Sequence, residues 1–203
     1  MIHVETISPP PTHPVTLAEV KAHLRIAGTG EDGVLEQYLS TAVDVSQSCT
    51  GRRWIQQTVR QIQTAPHNAR QLDLVRAPVM EVTSIEGMNR GGAWMAISNS
   101  FTVIGQRLLV HSPLPAYDAI RVAYKVGYFA LPETPTEAEL QQARAAVPPP
   151  VRAALLQLVG HLYENREGQS YEPRYASRAA AYGSSSLPPV VLDLLRPFVL
   201  WGT

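Results

Sequence analysis

The stretch Val151–Glu167 is the part of this sequence that most restricts its fold. Its apolar residues recur at intervals of three and four, which places them on one face of an α-helix. Pro148–Pro150 precede the stretch, and proline suits a first helical turn because the amide hydrogen that it lacks would have no partner there. Gly168 ends the pattern. We therefore predict a long helix with a buried face, whose core residues are Val151, Leu155, Leu158, Val159 and Leu162.

Two further helices are predicted before residue 53. Thr16 and Glu19 have the spacing of a capping box, and Val15 and Val20 that of a hydrophobic staple, so a helix should begin at Thr16. A second helix should run from about Glu31 to Thr50, with its own apolar face. Because a short turn joins these two helices, they should pack as an αα-hairpin and form a small bundle with the long helix.

The middle of the chain has the two-residue period of β-strands. The clearest strand is Ile120–Tyr128, in which apolar residues alternate with Arg121, Ala123, Lys125 and Gly127. Met88–Ser100, which is rich in glycine, should form a long loop or a protruding hairpin. We expect a small antiparallel β module with weaker strands at Ile55–Gln63, Gln71–Val75, Glu81–Glu86, Phe101–Ile104 and Arg107–Val110.

The predicted fold is therefore α+β: a helical bundle, made of an αα-hairpin and a long late helix, with an inserted antiparallel β module and extended terminal arms. The first arm is expected to be extended because Pro9–Pro11 and Pro14 exclude a helix. The predicted segments are an N-terminal extended arm (1–15), a helical hairpin (16–52), a β-rich insertion (53–130), a linker with the central helix (131–168), and a linker with a C-terminal arm (169–203).

Composition and motifs argue against several classes of function. Lys and Arg number 17, as do Asp and Glu, so the chain lacks the excess of positive charge that holds nucleic acid by phosphate neutralisation. No apolar run approaches the roughly 18 residues of a membrane span. His161 and Glu164 lack the spacing of a helical zinc motif. Cys49 lies on the apolar face of the second helix and is expected to be a buried, inert thiol. We therefore expect no enzyme, no metal and no cofactor.

Some residues are better candidates for contacts with other proteins. Trp94 stands in the glycine-rich loop, where an aromatic side chain suits an interface. Arg52 and Arg53 lie at a helix end, where they could meet DNA, a neighbour's carboxylate or solvent. Glu164 and Arg166, at the polar end of the long helix, are candidates for a contact between subunits. The last residues of the chain are apolar and would expose a patch typical of a contact site in a monomer.

The order of five segments resembles a known family. These segments are TLAEVKAHLRI near the start, TGRRW at Thr50–Trp54, RVAYKVGY at the end of the β module, HLYENRE in the long helix, and LPPVVLDLLRPF near the end. Together they resemble the head–tail connector (adaptor) proteins of tailed bacteriophages and gene-transfer particles. The resemblance extends from Val15 to Phe198.

This resemblance implies a structural protein of the virion. The chain would form a homo-oligomeric ring, a dodecamer, beneath the portal protein in the neck, and would be made in the host cytoplasm. The ring would extend the DNA channel, let double-stranded DNA pass without specific binding, and offer a docking surface to the stopper or tail-terminator protein. No cofactor or membrane is implied. The segment Leu187–Trp201 would bind the portal through Leu194, Leu195, Phe198, Leu200 and Trp201.

Two alternatives remain open. A neck stopper or tail-completion protein would also form a ring in the neck, although such proteins are expected to be mostly β. More remotely, the chain could be a soluble α+β enzyme or ligand-binding module, for which the sequence offers no group of catalytic residues.

Overall fold

The computed structural model describes residues 2–64, 70–97, 101–111, 117–165 and 187–200. Within these residues, strands and helices are both abundant and every strand ladder is antiparallel, which confirms the predicted α+β class. The helices are α1 (Leu17–Leu24), α2 (Asp32–Thr50), α3 (Glu137–Ala145), α4 (Pro149–Glu164) and α5 (Pro189–Leu195), followed by a 3₁₀ turn at Arg196–Phe198. The strands are β1 (Ile2–Ser8), β2 (Gln57–Thr64), β3 (Gln71–Asp73), β4 (Val79–Met88), β5 (Trp94–Ala96), β6 (Phe101–Ile104), β7 (Arg107–Val110) and β8 (Ala119–Val126).

The chain divides into two compact units. The β unit comprises Met1–Thr12, Gly51–Val147 and Leu200–Thr203, and the helical unit comprises His13–Thr50 and Pro148–Val199. The β unit therefore begins two residues before the predicted insertion and continues beyond residue 130. It also takes in the first residues of the N-terminal arm.

In the helical unit, α1 begins at the predicted capping box. The Thr16 hydroxyl accepts a hydrogen bond from the Glu19 amide at 3.2 Å, and the Glu19 carboxylate accepts one from the Thr16 amide at 2.7 Å. The helix ends at Arg25, which has the left-handed φ of 58°. The long helix α4 begins at Pro149 and contacts α1, α2 and α5, so it is the central element of this unit.

Each helix of this unit contributes one apolar face to the core. The spacing of three and four residues brings the buried side chains of α4 to one side, as expected for an amphipathic helix. Full burial of such a side chain stabilises the fold by about 1.5–3 kcal/mol. The buried residues are Val20 from α1, Leu35, Leu39, Ala42 and Val43 from α2, Val151, Ala154, Leu155, Leu158 and Val159 from α4, and Val191 and Leu195 from α5.

Polar contacts fix how these helices meet. Lys21 on α1 binds Asp32 at the start of α2 at 2.7 Å, and Arg152 on α4 forms an ion pair with Glu19. The Tyr163 hydroxyl donates to the carboxylate of Glu31 at 2.6 Å. Burial opposes the ionisation of Glu19, but hydrogen bonds from Thr16 and the nearby Arg152 outweigh it and lower the pKa of this carboxyl.

The β unit contains two antiparallel sheets. The first has the strand order β1-β2-β8-β4-β5, and the second the order β3-β7-β6. In the first sheet β8 lies at the centre, which fits the strong alternation seen in its sequence. A continuous core of buried residues is formed by Val59, Leu72, Leu74, Ile85, Leu108, Val110, Ile120, Val122, Tyr124 and Val126.

A buried polar group joins residues from different strands inside this core. The Tyr124 hydroxyl donates to Oε1 of Gln61 at 3.1 Å, and the amide of Val75 donates to the same oxygen at 2.9 Å. Nε2 of Gln61 in turn donates to the carbonyl of Asp73 at 2.7 Å. Because these groups satisfy each other, Tyr124 and Gln61 are buried without leaving unpaired polar atoms at this point.

Burial raises the pKa of Tyr124 to about 12. A tyrosine in the unfolded chain has a pKa of about 10, so the contribution of this residue to stability is complete below pH 10. It is lost as the pH rises from about 10 to about 12, which amounts to roughly 2–3 kcal/mol. We expect the free energy of unfolding in urea to decline over this interval more steeply for the wild type than for Tyr124→Phe. Parallel profiles for the two proteins would contradict the assignment.

Two segments differ from what the sequence predicted, and a third adopts one of its two predicted forms. The first arm contains β1, which pairs with β2 from Ile2 to Ser8 and so lies at the edge of the first sheet. The linker after residue 130 contains α3, which starts with a capping box between Thr136 and Glu139. The Met88–Ser100 segment forms a β4–β5 hairpin over its described residues, and the Asn89 side chain accepts hydrogen bonds from two amides of its turn.

The prediction for Cys49 was wrong, because this residue is exposed. The buried side of the last turns of α2 is formed by Ser46, Gln47 and Thr50, and Cys49 lies beside that face. The partial burial of its thiol nonetheless raises the pKa of Cys49. The predicted apolar face of α2 included Cys49, but the observed buried face does not.

Gly127 follows the central strand and occupies a position that other residues cannot share. Its φ is +146°, and a Cβ there would lie 2.7 Å from the backbone N and Cα of Gln56. We expect Gly127→Ala to lower the free energy of unfolding by about 2–4 kcal/mol, since backbone strain alone costs roughly 1–3 kcal/mol. The measurement is urea unfolding. The matched control is Gly30→Ala, where a Cβ meets nothing within 4 Å; equal losses in the two variants would refute the explanation.

Candidate assembly surfaces

The C-terminal segment Leu187–Leu200 is attached to the helical unit by one face of α5. Pro188 and Pro189 open this helix, and Pro197 in the following 3₁₀ turn prevents it from continuing. Val191 and Leu195 are fully buried against this unit, whereas Val190 is 51% exposed. The segment is therefore anchored on one side, and its exposed side combines the apolar Val190 with the charged Asp193 and Arg196.

The five residues predicted to bind a portal are in different situations. Leu195 is only 1% exposed and already serves the core of the helical unit, so it is not available to a partner in the isolated chain. Leu194, Phe198 and Leu200 are half-buried. Leu200 packs beside Gly51, where its Cδ1 would be 3.0 Å from a Cβ. Trp201 lies outside the described residues.

The predicted core residues of the long helix occupy its inner face. Val151, Leu155, Leu158 and Val159 are buried. Leu162, two residues before the end of the helix, is half-buried. The helix thus becomes more exposed toward Glu164, which is itself exposed.

Trp94 lies on the edge strand β5 and is half-buried. The guanidinium of Arg121 stacks on its ring, 4.5 Å from the ring centre, and also binds Glu86 with Nη2 3.0 Å from Oε1. Hydrogen bonding from Arg121 lowers the pKa of the Glu86 carboxyl. One face of the indole is therefore held within the chain, and its role in an interface stays a prediction.

Arg52 and Arg53 are held by contacts with other residues of the β unit. The amide of Arg53 donates to the carbonyl of Ala77 at 2.7 Å, and Nη1 of Arg52 donates to the hydroxyl of Tyr128 at 3.4 Å. Tyr128 also stacks on the ring of Trp54, with 5.9 Å between ring centres. Both arginines are half-buried and have structural contacts, and contacts with a partner stay a prediction for them.

The end of α4 forms an open cavity with the end of α1. Its lining includes His23, Arg25, His161 and Glu164, and its volume is about 380 Å³. No group of three or more residues that could hold a metal ion occurs in the described parts of the chain, and the lining of this cavity is no exception. Arg166 lies outside the described residues.

Among the helices that the structure describes, none combines the length and apolarity needed to cross a membrane.

Exposed apolar residues on edge strands were not anticipated from the sequence. Ile2 and Ile7 lie on β1, and Phe101 and Ile104 lie on β6. The sequence predicted Phe101–Ile104 as a strand and residues 1–15 as an extended arm. It gave no sign that β1 and β6 would each lack a neighbouring strand on one side.

Comparison with known proteins connects this architecture to a family. The sequence model of the phage gp6-like head–tail connector proteins matches residues 14–90, which include α1, α2 and the strands β2, β3 and β4. No curated protein is similar in sequence to the chain at a significant level.

Solved structures extend the similarity to nearly the whole chain. A chain in the neck of an empty GTA particle, computed with C6 symmetry, has a TM-score of 0.74 and 19% identity, over 99% of this chain and 97% of that one. A chain in the neck of a native GTA particle, computed with C12 symmetry, has a TM-score of 0.72 and 18% identity, over 99% and 97%. A chain in the virion of a native gene transfer agent (GTA) particle has a TM-score of 0.71 and 19% identity, over 98% and 96%.

None of these descriptions is that of an enzyme, in agreement with the expectation from the sequence. At this level of identity the solved structures show that the fold is shared. The resemblance to the head–tail connector proteins is therefore confirmed in sequence over residues 14–90, and nearly the whole chain shares the fold of chains from the necks of GTA particles.

Proposed function

We propose that this chain is a head–tail connector subunit in the neck of a tailed phage or phage-like particle. The observation that carries the proposal is the structural match to neck chains, which includes both units and leaves almost no part of either chain unmatched. The sequence match to connector proteins supports it independently. The chain would be made in the host cytoplasm and incorporated at the junction of head and tail.

The subunits form a closed ring, which we take to have twelve copies. The similar neck structures were computed with C12 and C6 symmetry, and a ring of twelve is compatible with both. A cyclic ring needs contacts between two different surfaces of each subunit, because each copy meets one neighbour on either side. The DNA channel continues through this ring, and the equal numbers of acidic and basic residues suit passage without tight binding.

The C-terminal segment after α5 contacts the portal. Phe198, Val199 and Leu200 are apolar and only half-buried, so each retains surface that a partner can cover. A contact of this size is weak in a single subunit, but its repetition around a ring makes the joint durable. The opposite side of the ring receives the stopper or the tail-terminator protein.

The proposed function is tested by locating the chain in intact particles. A peptide tag inserted between Gly28 and Gly30 is suitable, because this exposed turn has free space around Gly30. Electron microscopy of gold-labelled particles should place the tag in a ring at the head–tail junction. Label elsewhere in the particle, or absent from it, would overturn the proposal.

The same particles distinguish an adaptor from a stopper. Chemical cross-linking followed by mass spectrometry should join the C-terminal segment of an adaptor directly to the portal. A ring in the neck that cross-links only to another neck protein would favour the stopper instead.

A further inference from the structure

Four strands of the β unit lie at a sheet edge. β1 and β5 bound the five-stranded sheet, and β3 and β6 bound the three-stranded sheet. β3 and β5 have three residues each, and very short edge strands are one means by which proteins avoid unwanted pairing. β1 has seven residues and β6 has four, so these two offer longer rows of main-chain donors and acceptors.

β6 lacks the usual protection of an exposed edge, and β1 has it only at its last residues. Lysine, proline and bulges commonly prevent such edges from pairing with another chain. β6 contains none of these and pairs with β7 in regular register. β1 pairs regularly with β2 from Ile2 to Thr6, and its one irregularity comes at Ser8. No other described strand or helix runs along the outer side of either strand.

The side chains of β1 and β6 also suit contact with another chain. Seven large hydrophobic residues are exposed in the described chain, and four of them lie on these two strands. They are Ile2 and Ile7 on β1, and Phe101 and Ile104 on β6. The charge of Glu5 on β1 is balanced within the chain by Arg60 at 2.8 Å, and β6 contains no ionisable residue. Both edges can therefore be covered without desolvating an uncompensated carboxylate or ammonium group.

We propose that β6 of one copy pairs with the outer edge of β1 in the next copy. The occupant is a second copy of this chain because a cyclic ring requires two different, complementary surfaces on each subunit, and β1 and β6 are such a pair. Pairing of β1 with β1 would create a two-fold dimer, which does not propagate around a ring. The inference rests on the proposed ring and assigns its subunit contact.

Cysteine cross-linking tests the pairing directly. Cys49→Ser removes the exposed native thiol, and Thr6→Cys and Ile104→Cys are then introduced into separate proteins. The two proteins are mixed and treated with a bismaleimide of about 10 Å, which suffices because paired strands lie about 5 Å apart. Sedimentation of the same sample measures ring formation independently of cross-linking.

We expect a cross-linked dimer only when both cysteines are present. A second β6 protein carries Thr102→Cys instead of Ile104→Cys, so that position 104 can be changed, and it should also cross-link to the Thr6→Cys protein. Adding Ile104→Lys to this Thr102→Cys protein places a charge on its β6 edge, and the yield should fall by about tenfold. Val190→Lys in that protein is the matched control, because Val190 is similarly exposed but lies on α5. It should leave the yield unchanged.

The remaining outcomes overturn the pairing in distinguishable ways. Rings that sediment normally without the Thr6–Ile104 product would reject this contact and leave the proposed ring intact. Equal self-linking of the Thr6→Cys protein would show two-fold pairing through β1. The absence of both rings and product would count against the ring as well as the contact.

Discussion

Leu155→Asp should unfold the helical unit. Leu155 is completely buried in the middle of α4, the helix that contacts α1, α2 and α5. An uncompensated charge in such a place costs roughly 3–5 kcal/mol, and a whole domain is stabilised by only about 5–15 kcal/mol. We expect the helical circular dichroism signal to fall sharply and the urea midpoint to drop or disappear.

The neighbouring exposed position provides a matched control. Ala153 lies on the same helix but is exposed, so Ala153→Asp introduces the same charge without burying it. This variant should change the free energy of unfolding by no more than about 0.5 kcal/mol. A soluble Leu155→Asp protein with the wild-type spectrum and midpoint would show that α4 is not central to this unit.

Local signals explain why most elements could be predicted from the sequence. The capping box at Thr16, the apolar period of α4 and the alternation of β8 each depend on residues close together in the chain. Phe101–Ile104 and Arg107–Val110 were predicted with the observed bounds, because Gly105 marks the turn between them. Its φ of +63° is favourable for glycine.

The missed elements lack an apolar period or depend on distant partners. α3 has the local signal of a capping box at Thr136 and Glu139, but its one buried residue is Ala143, so it shows hardly any apolar period. β1 is stabilised by pairing with β2, fifty or more residues away. The prolines that follow β1 indicated an extended arm and gave no sign of this pairing. The order of strands in the two sheets is likewise a long-range property that alternation within a strand does not encode.

The candidate contact surfaces were less predictable for a related reason. α5 has seven residues and only one charged side chain, Asp193, so its composition does not indicate which side faces the core. Leu195 therefore looked as available as Leu194, although the fold buries the first and leaves the second partly exposed. Contacts between subunits leave no periodic signal of their own in the sequence. The free edges of β1 and β6 could be identified only from the order of the strands in the two sheets.

Two C-terminal truncations should have different effects. Removal of residues 196–203 retains α5, and we expect it to cost about 1–2 kcal/mol because the described residues that it removes are at most half-buried. Removal of 187–203 also takes away Val191 and Leu195, whose burial is worth about 3–6 kcal/mol together. The longer truncation should therefore destabilise the helical unit, which urea unfolding measures.

The shorter truncation isolates the proposed contact with the portal. If the segment after α5 binds the portal, the folded 1–195 protein should fail to enter particles, and electron micrographs should show heads without attached tails. Phe198→Ser should reproduce a large part of this loss, whereas Val190→Ser removes an exposed apolar group from α5 and should be incorporated normally. Because stability is measured on the same variants, a failure to assemble can be separated from a failure to fold. Normal incorporation of the 1–195 protein would exclude the segment after α5 as the portal contact and direct attention to the exposed side of α5 itself.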